Sequence, residues 1–289
     1  MDGKYLVHIP FTNTSRLVKP THLFSYKGQA FKITRTRKSS YADNLLTIVE
    51  NEIDIAHAAK TAAEFFSALA WETQGNIHFG NPSWARNGRI RDLKSAQASI
   101  FDFDRIPPGR EIGGYSISHI PHIENETQRL ALALYREAGA ANNDYLQFLF
   151  YYQVLYVGTT TNPWDSVNKA LKDIKDKAWI GRLELNGKKI GDYFRADCRD
   201  AIAHVMRKPG QTTIDFDDPA DRKRFSISAK AVKAFAHHHI KEHLALKKTL
   251  HLFKEKPGSI PAYMPADQAN GKYVVPDQPN LQLRKSKSA

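Results

Sequence analysis

The chain has 289 residues, 42% hydrophobic and 25% charged, so it can bury a substantial core and is too apolar to be globally disordered. Its formal net charge is +12, and residues 222–289 hold 14 Lys/Arg against 4 Asp/Glu, so the excess sits in the last quarter and points toward polyanionic partners. The single cysteine, Cys198, excludes an intrachain disulfide framework, and the start lacks the charged-then-apolar order of a secretory signal, so a reducing, cytoplasmic setting is expected.

The first fifty residues read as strands and turns. KYLVHI and LLTIV are β-rich runs, and FKITRTRK would put Arg35 and Arg37 on one face of a strand. Asp54 is placed to cap a helix running to about Trp71. Its Ile55, Ala58, Ala59, Ala62, Phe65, Phe66 and Leu69 recur at helical spacing and predict a core-facing stripe. Gly75, Gly80 and Pro82 then punctuate the chain. SIFDFD (99–104) reads as a strand ended by Pro107-Pro108-Gly109, with a second short strand over 115–120. Pro121 and Glu124-Asn125-Glu126 mark a boundary.

Beyond that point the pattern is helical. Residues 127–141 are strong helix formers, and Asn142-Asn143-Asp144 breaks and recaps the chain. Residues 145–157 are apolar nearly all round, which predicts a helix central to a bundle or at a subunit interface. That run is interrupted by Gln147 and Gln153 and is shorter than the roughly 20 residues needed to span a bilayer, so no membrane partner is expected. Pro163 opens a helix over 164–176, and ELNGKK is a turn. Another helix starts near Ile190, residues 209–225 form a connector, and a last helix covers 228–253. The expected architecture is α+β: a mixed α/β domain over 1–122, an all-α bundle over 123–256, and a Pro-rich basic tail over 257–289.

The segment 190–207 is the candidate for chemistry. On a helical wheel, Ile190, Phe194, Cys198, Ala201, Ile202 and Val205 fall on the core side, which makes Cys198 a buried apolar filler. The other side holds Arg199 at one edge and Asp200, Tyr193 and His204 at the other, around a floor of Ala196 and Ala203. Asp200 lies four residues before His204, close enough to orient the ring and raise its pKa.

Arg199-Asp200-Ala201-Ile202-Ala203-His204 resembles the pattern of HEPN domains: an arginine, a polar residue, three further residues and a histidine. Arg16 and His22 give a related spacing, but Pro20 lies between them and no helix is predicted there. The resemblance implies a helical bundle. Many such domains are metal-independent endoribonucleases of toxins and antiviral defence, and others have lost catalysis and bind nucleotides or partners. It implies RNA as the partner, no cofactor, Arg199, His204 and Asp200 as the catalytic group, and a homodimer that brings two copies of the pair together. A regulatory protein partner would fit the same setting. Arg195, Tyr193 and Arg207 are the candidate substrate contacts. The chemistry suits these residue types, because the RNA 2′-hydroxyl is itself the nucleophile. A histidine near neutrality moves the protons, and an arginine holds phosphate oxygens as charge develops. Over most of its length the chain is also similar to the methylamine-utilisation J-type proteins, which pair a mixed N-terminal region with a helical C-terminal one.

Two further patterns stand apart. Lys233, His237, Lys241 and Lys248 follow one stripe of the last helix, where they either track a phosphate backbone or form a solvated face. His237, His238, His239 and His243 crowd together, but no carboxylate or cysteine sits at matching spacing besides Glu242, which is expected to face elsewhere, so no metal is expected. Asp215, Asp217, Asp218 and Asp221 read as a turn, and no phosphate-loop, dinucleotide or G-x-S-x-G signature occurs.

Overall fold

The computed structural model describes residues 4–13, 21–35, 42–86, 119–160, 162–175, 177–203, 214–246, 249–251, 266–267 and 272–273. It is an α+β fold. Six strands form one antiparallel sheet: β1 (Tyr5–Asn13), β2 (Thr21–Tyr26), β3 (Gln29–Arg35), β4 (Ala42–Val49), β5 (Ile77–Phe79) and β6 (Ser83–Arg86), in the order β2-β3-β4-β1-β5 with β6 also on β1. β1 is central. It pairs with β4 from Tyr5↔Val49 to Thr12↔Ala42, and its other edge is shared by β5 and β6. Lys27 and Gly28 both have positive φ, 48° and 79°, which turns β2 into β3 in the twist sense that hairpins favour.

Alternation along β1 sends Val7, Ile9 and Phe11 to one face, where α1 (Asp54–Thr73) covers them. The stripe expected for this helix is the buried one, and its rings do the packing: Phe11 lies 4.8 Å from Phe66, and Phe24 lies 4.6 Å from Phe65. Asp54 does not cap it. Ile53 occupies the cap position, and Asp54 sits in the first turn, accepting from Asn51 Nδ2 at 3.3 Å. On the opposite face of the sheet Leu6 and Leu46 form a smaller cluster with Ile48 and Ala85.

The helical half begins with α2 (Glu126–Ala140) and α3 (Asp144–Val154), whose first turns are held by Asn125 and Asn143 side chains. α4 (Pro163–Ala170) has proline at its start, and a short 3₁₀ turn follows at Ile180–Arg182. α5 joins Ile190–Tyr193, a π-helical turn at Phe194–Arg199, and Asp200–Ala203. α6 runs over Pro219–His238 into a second π turn at His239–His243. The aromatic helix α3 is central to this half: Phe148 is fully buried and its ring faces Phe194 at 5.7 Å and Phe225 at 6.1 Å, while Tyr151 meets Tyr135 at 5.1 Å.

Several boundaries move. α4 is shorter than the expected 164–176, closing where Asp173 N donates to the Ala170 carbonyl at 3.0 Å. The last helix starts at Pro219 rather than 228, because Asp218 accepts from Ala220 N at 2.9 Å and Pro219 suits a first helical turn. It ends at His243, where Ala245 takes a left-handed φ of 53° and the chain turns away. Residues expected to continue the helix instead form β8 (Thr249–His251), paired with β7 (His119–Pro121). The predicted strand at 99–104 lies outside the described residues. So does the tail over 257–289, save for the short pair β9 (Ala266–Asp267) and β10 (Lys272–Tyr273).

One continuous cluster of buried side chains runs from the sheet through α1 into the helical half. Arg136 of α2 is buried at this junction, donating to the Ala63 carbonyl at 3.0 Å and Ser67 Oγ at 2.7 Å, with its guanidinium 4.6 Å from the Phe79 ring. Among the described residues no helix is long and apolar enough to cross a membrane.

Candidate functional site

The π turn of α5 decides where its side chains point. A π turn inserts one extra residue, so the buried side takes adjacent pairs: Tyr193 with Phe194, then Asp197 with Cys198, then Ala201. Tyr193, expected on the polar face, is therefore turned inward and is 2% exposed. Its hydroxyl donates to Ser228 Oγ at 3.1 Å, and Ser228 in turn donates to the Arg224 carbonyl at 2.9 Å. Tyr193 is thus a packing residue of the α5–α6 contact. Ile202, expected in the core, is only half-buried for the same reason.

Cys198 is fully buried, and burial pushes its thiol up to about 12, consistent with its reading as an inert filler. Arg224 Nη1 donates to the Asp197 carbonyl at 2.8 Å, satisfying a backbone acceptor within the π turn. The Asp197 carboxylate is ion-paired with Lys188 Nζ at 2.6 Å, a contact that spacing did not single out.

Arg195 and Arg199 project outward, together with Ala203. The Arg199 guanidinium bonds Asp200 Oδ1 at 2.6 Å, and this bond raises an already high pKa. Arg195 lies 4.9 Å over the Trp164 ring. The two guanidiniums are four residues apart, Arg195 held on an indole ring and Arg199 ion-paired with a carboxylate. His204 and Arg207, the remaining members of the expected site, lie outside the described residues.

A second cationic region lies along α6. A cleft of about 910 Å³ is lined by α6, by the 173–179 segment and by Gln74 and Tyr135. Four lysines, at 175, 230, 233 and 241, face it against two carboxylates, Asp173 and Glu242. Lys233 is half-buried, its ammonium 5.9 and 6.0 Å from the Tyr135 and Tyr151 rings, which touch each other, and burial lowers its pKa. His237 stacks on Trp71 at 4.4 Å with the ring planes 12° apart, and its pKa is lowered by burial first and by Lys241 and Lys233 next. The sequence stripe named Lys233, His237 and Lys241, which the cleft brings together; Lys248 lies outside the described residues. Trp179 and Lys230 were not singled out, although the ammonium lies only 4.4 Å from the ring.

The neighbouring histidines diverge. His239 points inward, its Nε2 bonded to the Val157 carbonyl at 2.8 Å, whereas His237 faces the cleft. Among the described residues no group of three His, Cys, Asp or Glu side chains is arranged to hold a metal ion.

A family model described as methylamine utilization protein MauJ matches residues 131–241, from within α2 to the second π turn of α6. This agrees with the J-type resemblance over the helical half. No curated protein and no solved structure matches the chain.

Proposed function

We propose that the helical half is a metal-independent endoribonuclease of HEPN type, acting as a homodimer through the outward face of α5. The observation that carries this reading is the placement of Arg199: on the exposed side of a late bundle helix, oriented by Asp200, with Arg195 one turn earlier. His204 follows five residues later in the sequence, about 140° around an ideal helix, so one helix alone directs the two groups apart. Two copies of the face supply both groups to one phosphodiester.

In this mechanism the 2′-hydroxyl attacks phosphorus as one His204 imidazole takes its proton. The P–O5′ bond breaks, and the protonated His204 of the other protomer hands a proton to the departing 5′-oxygen. Arg199 offsets the negative charge that builds on the non-bridging oxygens. Products are a 2′,3′-cyclic phosphate and a 5′-hydroxyl, and no metal enters the balance. The family description names a gene setting, and no methylamine chemistry is inferred from it.

The test is incubation of purified protein with labelled single-stranded and structured RNA in EDTA. Cleavage is expected, with Arg199→Ala and His204→Ala each abolishing it at unchanged melting temperature. Intact RNA with wild-type protein, or cleavage that survives both substitutions, overturns the proposal.

A further inference from the structure

We propose that the cleft along α6 is a binding site for a nucleoside phosphate, with the base against Trp179 and the phosphate held by Lys233, Lys230 and Lys241. The inference does not depend on ribonuclease activity. On α6, Ser228, which meets Tyr193 of α5, and His237, which faces the cleft, are nine residues apart and so lie about 180° apart on an ideal helix. The helix therefore shows one side to the Arg199-bearing element and the opposite side to the cleft.

Lys233 carries the argument furthest. A solvated lysine on a helix surface keeps its ammonium in water, whereas this one is half-buried over a touching pair of tyrosine rings and meets no carboxylate among the described residues. A partly desolvated cation without a counter-ion is costly, and an anion seated in the cleft relieves that cost. Lys230 and Lys241 are exposed at the same wall on long flexible stems, held by a 3.4 Å bond to Ser226 Oγ and a 3.9 Å contact with Glu242, and an anionic group in the cleft would compete for both.

The aromatic side of the cleft selects what carries the anion. Trp179 is half-buried with Lys230 4.4 Å and Arg182 4.6 Å from its ring, and the exposed Lys230, on turning to a phosphate, would uncover the part of the indole that it now covers. A cleft of about 910 Å³ has the size of a small-ligand site and suits one nucleotide. A planar π surface joined to a multiply charged phosphate is the chemistry that matches both walls. That chemistry is offered by a free mononucleotide or by the terminal nucleotide of an RNA strand.

Isothermal titration of the full chain with AMP, adenosine, inorganic phosphate and a ten-nucleotide RNA separates these sources. AMP or the RNA is expected to bind saturably, and adenosine or phosphate alone far more weakly. Lys233→Met and Trp179→Ala should each weaken binding about tenfold or more, and Arg199→Ala should leave the binding of AMP unchanged. Lys241→Met, at the exposed rim, serves if the more buried substitutions perturb folding. Binding of AMP identifies a free nucleotide; binding of RNA alone, lost in the same variants, identifies a strand end. Absence of binding by both, or equal binding by wild type and all three cleft variants, overturns the inference.

Discussion

Gly191→Ala is the sharpest test of how α5 is held. Gly191 sits in the first turn of α5, and its N–H donates to Asn168 Oδ1 of α4 at 2.9 Å. A Cβ added there would stand 2.2 Å from the Trp164 carbonyl oxygen, 2.8 Å from its carbon and 2.9 Å from its Cα. Ordinary contact begins near 3.4 Å, so the two segments must separate by about 1.2 Å. All three obstacles are backbone atoms, and no rotamer change removes them. Overpacking of this kind costs about 1–3 kcal/mol, and the upper end applies because main chain must move. The reduced freedom of the unfolded alanine chain returns roughly 0.4–1 kcal/mol. The net is a loss of about 2 kcal/mol, or a melting temperature lower by roughly 4–8 °C for a chain of this size. Guanidinium denaturation followed by circular dichroism reads the change as a lower midpoint at unchanged slope. Gly181→Ala is the control, since a Cβ there meets nothing within 4 Å, and it should be neutral or slightly stabilising. If alanine at 191 left stability within about 0.5 kcal/mol of wild type, the close approach of α4 and α5 would be wrong.

The other expected outcomes concern buried polar groups. Tyr193→Phe removes the bond to Ser228 and should cost about 1 kcal/mol in denaturant titration while leaving any RNA cleavage unchanged, because the hydroxyl points inward. Arg136→Ala strips the guanidinium from Ala63, Ser67 and Phe79 and should cost about 3 kcal/mol; a loss below about 1 kcal/mol would argue against its role in joining the sheet to the bundle. Burial holds the His239 pKa below the ordinary 6.5, so the unfolded chain takes up its proton at a higher pH than the folded chain does. Its contribution is complete above about pH 6.5 and is lost as pH falls through the lower folded value. His239→Gln should therefore flatten, though not abolish, the decline of the urea midpoint between about pH 7 and 5, since His237 and His238 shift in the same direction. A slope identical to wild type would rule out titration of His239 as a source.

How much of this was legible in the sequence depends on which force sets each feature. Hydrophobic spacing placed α1, helix propensity placed α2 and an all-round apolar run placed α3, each within a few residues. The start of α6 was written in Asp218-Pro219 but masked by the acidic run around it, which resembles a turn. Its early end has no comparable signal: Ala245 at positive φ is a tertiary outcome that no propensity favours. In α5 the outward placement of Arg199 followed from the wheel, whereas the inward turn of Tyr193 did not. A wheel assumes 100° per residue, and the π turn between residues 194 and 199 breaks that assumption. The α6 cleft was half visible as the Lys233–His237–Lys241 stripe. Its opposing wall at 173–179 comes from a turn that periodicity cannot position.

The cleft also gives the N-terminal half a specific part in the molecule. Gln74 closes α1 in a left-handed conformation at φ 50°, and its Oε1 accepts from the Tyr135 hydroxyl of α2 at 2.8 Å. One helical turn earlier, Trp71 stacks on His237 of α6 and meets Tyr135 edge-on at 5.2 Å. The C-terminal end of the helix that covers the sheet is therefore part of the same wall as the cationic stripe of the last helix. Ligand sites occur preferentially where structural units meet, since each contributes a rigid wall that neither could build alone. A ligand between Trp179 and Lys233 would contact the bundle directly and the sheet-packed helix through Gln74. Its occupancy would thus bias how firmly α1 is held against α6, and through the shared core would reach the sheet.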